Sequence, residues 1–345
     1  MKKLVPFFCA VALALSLAGC GAQAADTNTN TNTTAPVVST VYSLEDATVL
    51  TFTDSGITAQ DGGTGYEIDG TALTIDSAGT YAVTGTCADG SITIKKGTTG
   101  VTLVLNGLSL TSADTAPITC NKSTEVTIIA AEGSVNSLTD SARNNDDEYP
   151  DNEAAENAVI KCKDGSQVTL GGTGSLTITA NGKNGIKSGT TTAEEGEASL
   201  TICELTLTIN APVNDAVNAE QTLNVESGTL TIAAADDALH SDLVLNIGAE
   251  GTEGPAITIT ECDEGIEGAE LNIYSGDISI NSSDDCLNAA TSDLSGYDFT
   301  MTISGGTIVA CSASGDGFDS NGDLTITGGT VTVWTANTAD NQPLD

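Results

Sequence analysis

An all-β, right-handed parallel β-helix follows from three features of the sequence: a strand period with few helical stretches, a coil-length internal repeat, and an acidic segment recurring within it. Stretches such as Leu-Thr-Leu-Thr-Ile and Val-Thr-Val alternate aliphatics with Thr, the period of two of half-buried strands. Aromatic residues make up only 3%, fewer than a compact domain of this length normally carries, which favours a stack of small repeats over a single large core.

The repeat has three parts. Leu223-Asn224-Val225 is followed by Ser227-Gly228-Thr229-Leu230-Thr231-Ile232 and then by Asp236-Asp237-Ala238-Leu239-His240-Ser241. The same order returns in Leu271-Asn272-Ile273, Ser275-Gly276-Asp277-Ile278-Ser279-Ile280 and Asp284-Asp285-Cys286-Leu287-Asn288-Ala289. It returns once more from Met301, ending in Gly315-Asp316-Gly317-Phe318-Asp319-Ser320, and a last unit starts at Leu324 and stops before its acidic part. From Ala216 to Ala238 is 22 residues, the length of one coil of three short strands and three turns. Inserts such as residues 248–254 loop out without breaking the stack. The recurring apolar positions point inward, and the Thr and Asn between them point to solvent. A Greek-key sandwich has no reason to repeat an acidic hexapeptide once per coil.

Stacking gives the acidic parts their chemistry, because coils about 4.8 Å apart line equivalent residues into columns. One column reads Asn184, Asp215, Asp237, Glu264, Asp285, Asp316; a second, three residues further on, reads Lys187, Asn218, His240, Glu267, Asn288, Asp319. Ahead of the first stand Asn214, Asp236, Asp263 and Asp284. Two bare carboxylates at that spacing repel by about 3 to 4 kcal/mol at an effective dielectric near 20. Raised pKa values, neighbouring Lys or Arg, or a metal could compensate. The chain has 10 Lys+Arg against 47 Asp+Glu, a net charge of −37, and no basic residue but His240 beyond Lys187, which removes the second option and rules out nucleic acid as a partner. The expected metal is calcium, which takes oxygen ligands in flexible arrangements. Its expected ligands are Asp215, Asp236, Asp237, Asp263, Glu264, Glu267, Asp284, Asp285, Asp316 and Asp319. Zinc would ask for His and Cys, and His240 is the chain's one histidine. Asp140 to Glu156 reads as an exposed acidic loop.

Lys2 and Lys3 before the apolar run Leu4 to Ala18 form an export signal. Its end, Leu17-Ala18-Gly19-Cys20, resembles the lipobox of bacterial lipoproteins, which implies lipid on Cys20 and a protein outside the cell, anchored to the membrane. The expected organisation is a signal over residues 1–19, a flexible tether over 20–39, an N-terminal β cap region over 40–90 and the β-helix over 91–345, as a monomer. Seven cysteines remain in the mature chain after Cys9 and Cys20, without a zinc spacing or CxxC; most read as small buried apolar residues, with some disulfide pairing left open.

At Asp-Asp-Ala-Leu (236 to 239), Glu-Gly-Ile-Glu-Gly (264 to 268), Asp-Asp-Cys-Leu-Asn-Ala (284 to 289) and the segment 315 to 326, the chain resembles the clostridial carbohydrate-binding, pectate-lyase-like β-helix lipoproteins. The resemblance implies calcium in the acidic turns and binding of cellulose and acidic pectic sugars. Ala238 and Cys286 depart from the family's Asp-Asp-Gly-Ile, Gly315 replaces an Asp, and His240 stands where related lyases carry a coordinating Asp. Family members continue beyond the equivalent of Asp345 with further coils, so the chain reads as a truncated gene or a fragment. Two alternatives to calcium-dependent binding stay open. One is a calcium-dependent polysaccharide lyase with Lys187 as base, Lys183 being the only other candidate; the other is a surface adhesin or structural stalk.

Overall fold

The structure is a computed structural model describing residues 42–60, 63–291, 294, 296–336 and 341–345; the export signal, the tether and Cys20 lie outside the described residues. Among them there are strands and turns but no helix, and hence no helix long and apolar enough to cross a membrane. The alternation of the sequence becomes three stacked faces of a parallel β-helix. One face carries the short strands Ala158–Cys162, Asn184–Ser188, Val217–Ala219 and Leu287–Ala289. The next carries strands such as Thr222–Val225 and Thr300–Ile303, and the third carries Thr206–Ala211, Thr229–Ala234 and Asp277–Ser282. The chain passes from the first face to the second and third, and the acidic segment is the turn from the third face back to the first.

Register is strict where the core is. Leu207, Leu230, Ile257 and Ile278 pair in line on successive coils, as do Ile209, Ile232, Ile259 and Ile280, and all eight are buried. A slip of one residue would turn such a file to solvent, so burial holds the register. Inserts leave it intact: Val225 pairs with Ile247 and Thr229 with Ala256, so residues 248–254 are extruded between two faces. Antiparallel pairs among the described residues are those of Thr48–Thr53 with Gly56–Ala59 and Tyr66–Asp69 with Ala72–Ile75, beside one isolated bridge. The Ser-Gly corner between the second and third faces demands glycine: at Gly228 φ is +100° and a Cβ would stand 2.6 Å from the Leu205 carbonyl oxygen.

Three expectations are corrected. The Asn of the second face does not simply face water. The Asn246 amide donates to Asn224 at 2.9 Å and the Asn272 amide to Asn246 at 3.1 Å, and the ladder buries Asn272. The segment 140–156 is not a free loop either. Asp140 and Asn144 are buried, Asp140 accepts from the Asn181 and Gly182 N–H groups, and the Asn144 amide donates to Asp140, leaving Asp146, Asp147 and Glu148 at the surface. Finally, the last unit does not end at the third face. Residues 341–345 return to the first face, with Gly317 N–H donating to Gln342 O and Phe318 N–H to Pro343 O.

The seven described cysteines are free; Cys311 is exposed and the other six are buried. For the core, Ile232→Ala leaves a cavity between Ile209 and Ile259 and should cost about 2–5 kcal/mol of unfolding free energy. Thr231→Ala on the exposed side of the same strand should stay within about 0.5 kcal/mol; urea unfolding of both variants measures the contrast.

Candidate functional site

The acidic turns sit where the third face bends into the first, and the backbone ladder holds them in file. Gly185, Ala216, Ala238, Gly265 and Cys286 donate their N–H to the carbonyl oxygens of Asp215, Asp237, Glu264, Asp285 and Asp316, at 2.9 to 3.3 Å. The first expected column is therefore in register, and Gln342 extends it as the acceptor from Gly317. The second is in register too: Lys187 pairs with Asn218, Asn218 with His240, His240 with Glu267, Glu267 with Asn288, and Asn288 with Asp319. Asp236, Asp263 and Asp284 form the outer file, Asp263 N–H donating to Asp236 O and Asp284 N–H to Asp263 O, both at 3.0 Å.

Ligand atoms converge at three places. Asp215, Asp236 and Asp237 bring a carboxylate oxygen each within 4.8 Å of one another, as do Asp316, Asp319 and Asp345. The third group is Asp237, His240 and Glu267. Asp263 and Asp284 stay on the exposed rim, outside all three. The inner members are deeply set: Asp215 is 4% exposed, Asp237 and Glu267 9% and Asn288 7%. Asn288 donates its amide to Glu264 at 2.8 Å and to Glu267 at 3.0 Å, and its buried Oδ1 has no hydrogen-bond partner among the described residues. Gly315 keeps room for the carboxylates, since a Cβ there would stand 2.2 Å from Asp284 Oδ1 and 2.5 Å from Asp285 Oδ1. Oxygen donors at close spacing, with one buried oxygen left without a donor, fit a hard cation such as calcium.

A family model of carbohydrate-binding domain-containing proteins matches residues 69–339. The chain belongs to that family. A solved structure similar to it is that of the polysaccharide lyase-like protein from C. thermocellum, as a gadolinium derivative, at 22% identity and a TM-score of 0.50; the match covers 86% of this chain and 99% of that one. No curated protein sequence matches.

In this carbohydrate-binding domain, three devices lower the repulsion within the columns. Protons are the first. Burial, reinforced by neighbouring carboxylates, raises Asp236, Asp284 and Asp319. Burial lifts Asp285 to about 7, and lifts Asp237 to about 6 against the opposing hydrogen bond from His240. Glu267 is also raised, by burial and then by its hydrogen bond with Glu264. The second device is amide donors: Asn218 donates to Asp215 at 2.6 Å, and Asn288 as above.

The third device was missed in the sequence, where His240 read only as a lost ligand. Its Nδ1 lies 2.9 Å from Asp237 and 3.4 Å from Glu267, and its Nε2 lies 2.8 Å from Asp242. Burial alone would lower the imidazole, but the hydrogen bonds to Asp237 and Asp242 outweigh it and raise the pKa to about 11. A fixed imidazolium thus supplies positive charge at that coil, which corrects the expectation that no basic residue could. Asp242, two residues after His240, was the available signal.

At the other end, Lys187 forms an ion pair with Glu220 at 3.3 Å and Lys183 pairs with Asp147. The sequence reading also overlooked Lys161, which pairs in register with Lys187 one coil earlier. Ile160-Lys161-Cys162 mirrors Ile186-Lys187-Ser188 and could have revealed it. Asp345, brought beside Asp319 by the bridge from Phe318 to Leu344, was likewise unnamed as a ligand.

A carboxyl with a higher pKa in the folded than in the unfolded chain holds its proton more tightly when folded, so it favours folding at low pH and less so as pH rises. In chelator, the melting temperature should therefore fall as pH climbs from about 4, the unfolded value for Asp, through the folded values of about 6 and about 7 at Asp237 and Asp285. Asp285→Asn should flatten that slope; thermal melts across the range measure both.

Proposed function

We propose that the protein binds plant cell-wall polysaccharide at the cell surface in a calcium-dependent way, with acidic pectic sugars and cellulose as the candidate ligands. The observation that carries the reading is the pair of in-register columns, in which buried carboxylates stand beside Asn288, whose amide donates to two of them and whose buried oxygen has no donor among the described residues. Membership of the carbohydrate-binding domain family supports the sugar, and the oxygen-only character of most of the donor set supports the ion. Asp215 with Asp236 and Asp237, Glu264 and Glu267 with Asn288, and Asp316 with Asp319 and Asp345 are the residues that would hold calcium. Asp285 lines the same file, while Asp263 and Asp284 face outward beside it. Bound calcium supplies the positive charge through which a polyanionic face can meet sugar carboxylates or hydroxyls. The Leu17-Ala18-Gly19-Cys20 segment supports export and a lipid anchor at Cys20.

Calcium at a thousandfold excess over its dissociation constant would stabilise the fold by about 4 kcal/mol, so the melting temperature should rise clearly between EDTA and millimolar calcium. The Asn288→Ala protein should show a smaller rise. Retention on polygalacturonate or cellulose should be present with calcium and lost with chelator. Absence of retention on both, with calcium present, would end the binding proposal.

A further inference from the structure

Of the eight Lys and Arg residues among the described ones, six stand in ion pairs: Lys96 with Glu195, Lys122 with Asp164, Arg143 with Asp114, Lys163 with Glu156, Lys183 with Asp147 and Lys187 with Glu220. Lys95 is exposed and needs no partner. Lys161 is half-buried and has no ion-pair or hydrogen-bond partner among the described residues. It stands directly beside Lys187 in the same column, about 4.8 Å away in backbone terms. The column neighbours on either side, Thr119 and Asn218, carry no charge. The acids whose charge is felt at Lys161 are Glu220, Glu156 and Asp164, and each already pairs with another lysine.

Two ammonium groups stacked on one face with a single carboxylate at 3.3 Å from one of them are under-compensated, in a chain whose net charge is −37. Burial and the neighbouring Lys187 both hold the Lys161 ammonium below its ordinary pKa, the direction expected of a cation lacking a counter-ion. Such an arrangement is destabilising for the fold alone and favourable once an anion arrives.

We propose that Lys161 and Lys187 form a carboxylate-binding subsite at the basic end of the acidic column, taking a uronate carboxylate of an acidic polysaccharide. The inference rests on the reading of the column as a polysaccharide-binding face and adds what selects the sugar. A chain lying along the first face meets two ammonium groups at one end and, two to six coils further on, the carboxylate groups. The contact is a pair of charge-assisted hydrogen bonds to the sugar carboxylate, without covalent chemistry. A neutral glucan gains nothing from it.

The test uses the full chain in millimolar calcium, with oligogalacturonate, its methyl ester and galacturonate monomer as probes. By calorimetry, Lys161→Met and Lys187→Met should each weaken oligogalacturonate binding by about tenfold or more and leave binding of the ester unchanged. Lys161→Met removes an unpaired charge while keeping an apolar stem, so it should melt no lower than the parent. In the parent protein the ¹³Cε resonance of Lys161 should shift on titration with galacturonate. Equal binding of oligogalacturonate by parent and Lys161→Met, or a Lys161 resonance indifferent to galacturonate, overturns the subsite. If polysaccharide is retained while Lys161 stays indifferent, the subsite falls and the binding proposal stands. If galacturonate moves the resonance but no polysaccharide is retained, the subsite stands for free uronates and the polysaccharide reading falls.

Discussion

In-register stacking of parallel coils is the constraint on which everything else here depends. Each strand satisfies its backbone on the coils before and after it, so residue i of one coil lies beside its counterpart about 4.8 Å away. Where that counterpart is apolar the result is a dry file such as Ile209, Ile232, Ile259 and Ile280. Where it is an amide the result is the ladder Asn224, Asn246, Asn272, in which each side chain satisfies the next. Where it is a carboxylate the same geometry forces like charges together.

The acidic columns are therefore a product of the fold's geometry, tolerated because the register is held by the core on the other side of the strand. The protein disperses the cost unevenly. Around Asp237 it uses an imidazolium clamped by three carboxylates. Around Glu264 and Glu267 it uses a shared hydrogen bond and the Asn288 amide. At the last coils it uses the Asp316 and Gln342 N–H groups, which donate to Asp285 and Asp316. The turn around Asp237 thus carries its own cation, whereas Asp316, Asp319 and Asp345 have no basic residue nearby.

The columns also divide the first face electrically. Basic residues occupy the Lys161 and Lys187 coils, with Lys163 and Lys183 near them, and acids occupy the coils that follow. The insert 140–156 belongs to the basic half: it lends Asp147 and Glu156 to Lys183 and Lys163, and its buried Asp140 and Asn144 fix it against the coil of Gly182. A face that is basic at one end and acidic at the other distinguishes this surface from a uniformly solvated acidic one.

The period of two, the spacing of 22 from Ala216 to Ala238 and the recurrence of the Asp-containing turns were sufficient to derive the β-helix and to write both columns correctly, because stacking turns sequence period directly into spatial alignment. Equivalence that the repeat motif did not mark stayed hidden. Lys161 follows the insert 140–156, which breaks the period between it and its partner Thr119, and Asp345 follows a segment that has lost its Asp-Asp, so both needed the ladder to be recognised. Burial and partnership were decided by tertiary structure alone. Whether His240 is a lost ligand or a trapped cation, and whether Asn288 has an oxygen to spare, depends on side chains from neighbouring coils and on how far water reaches them. A linear pattern specifies which residues stand side by side, but not how they share protons and hydrogen bonds.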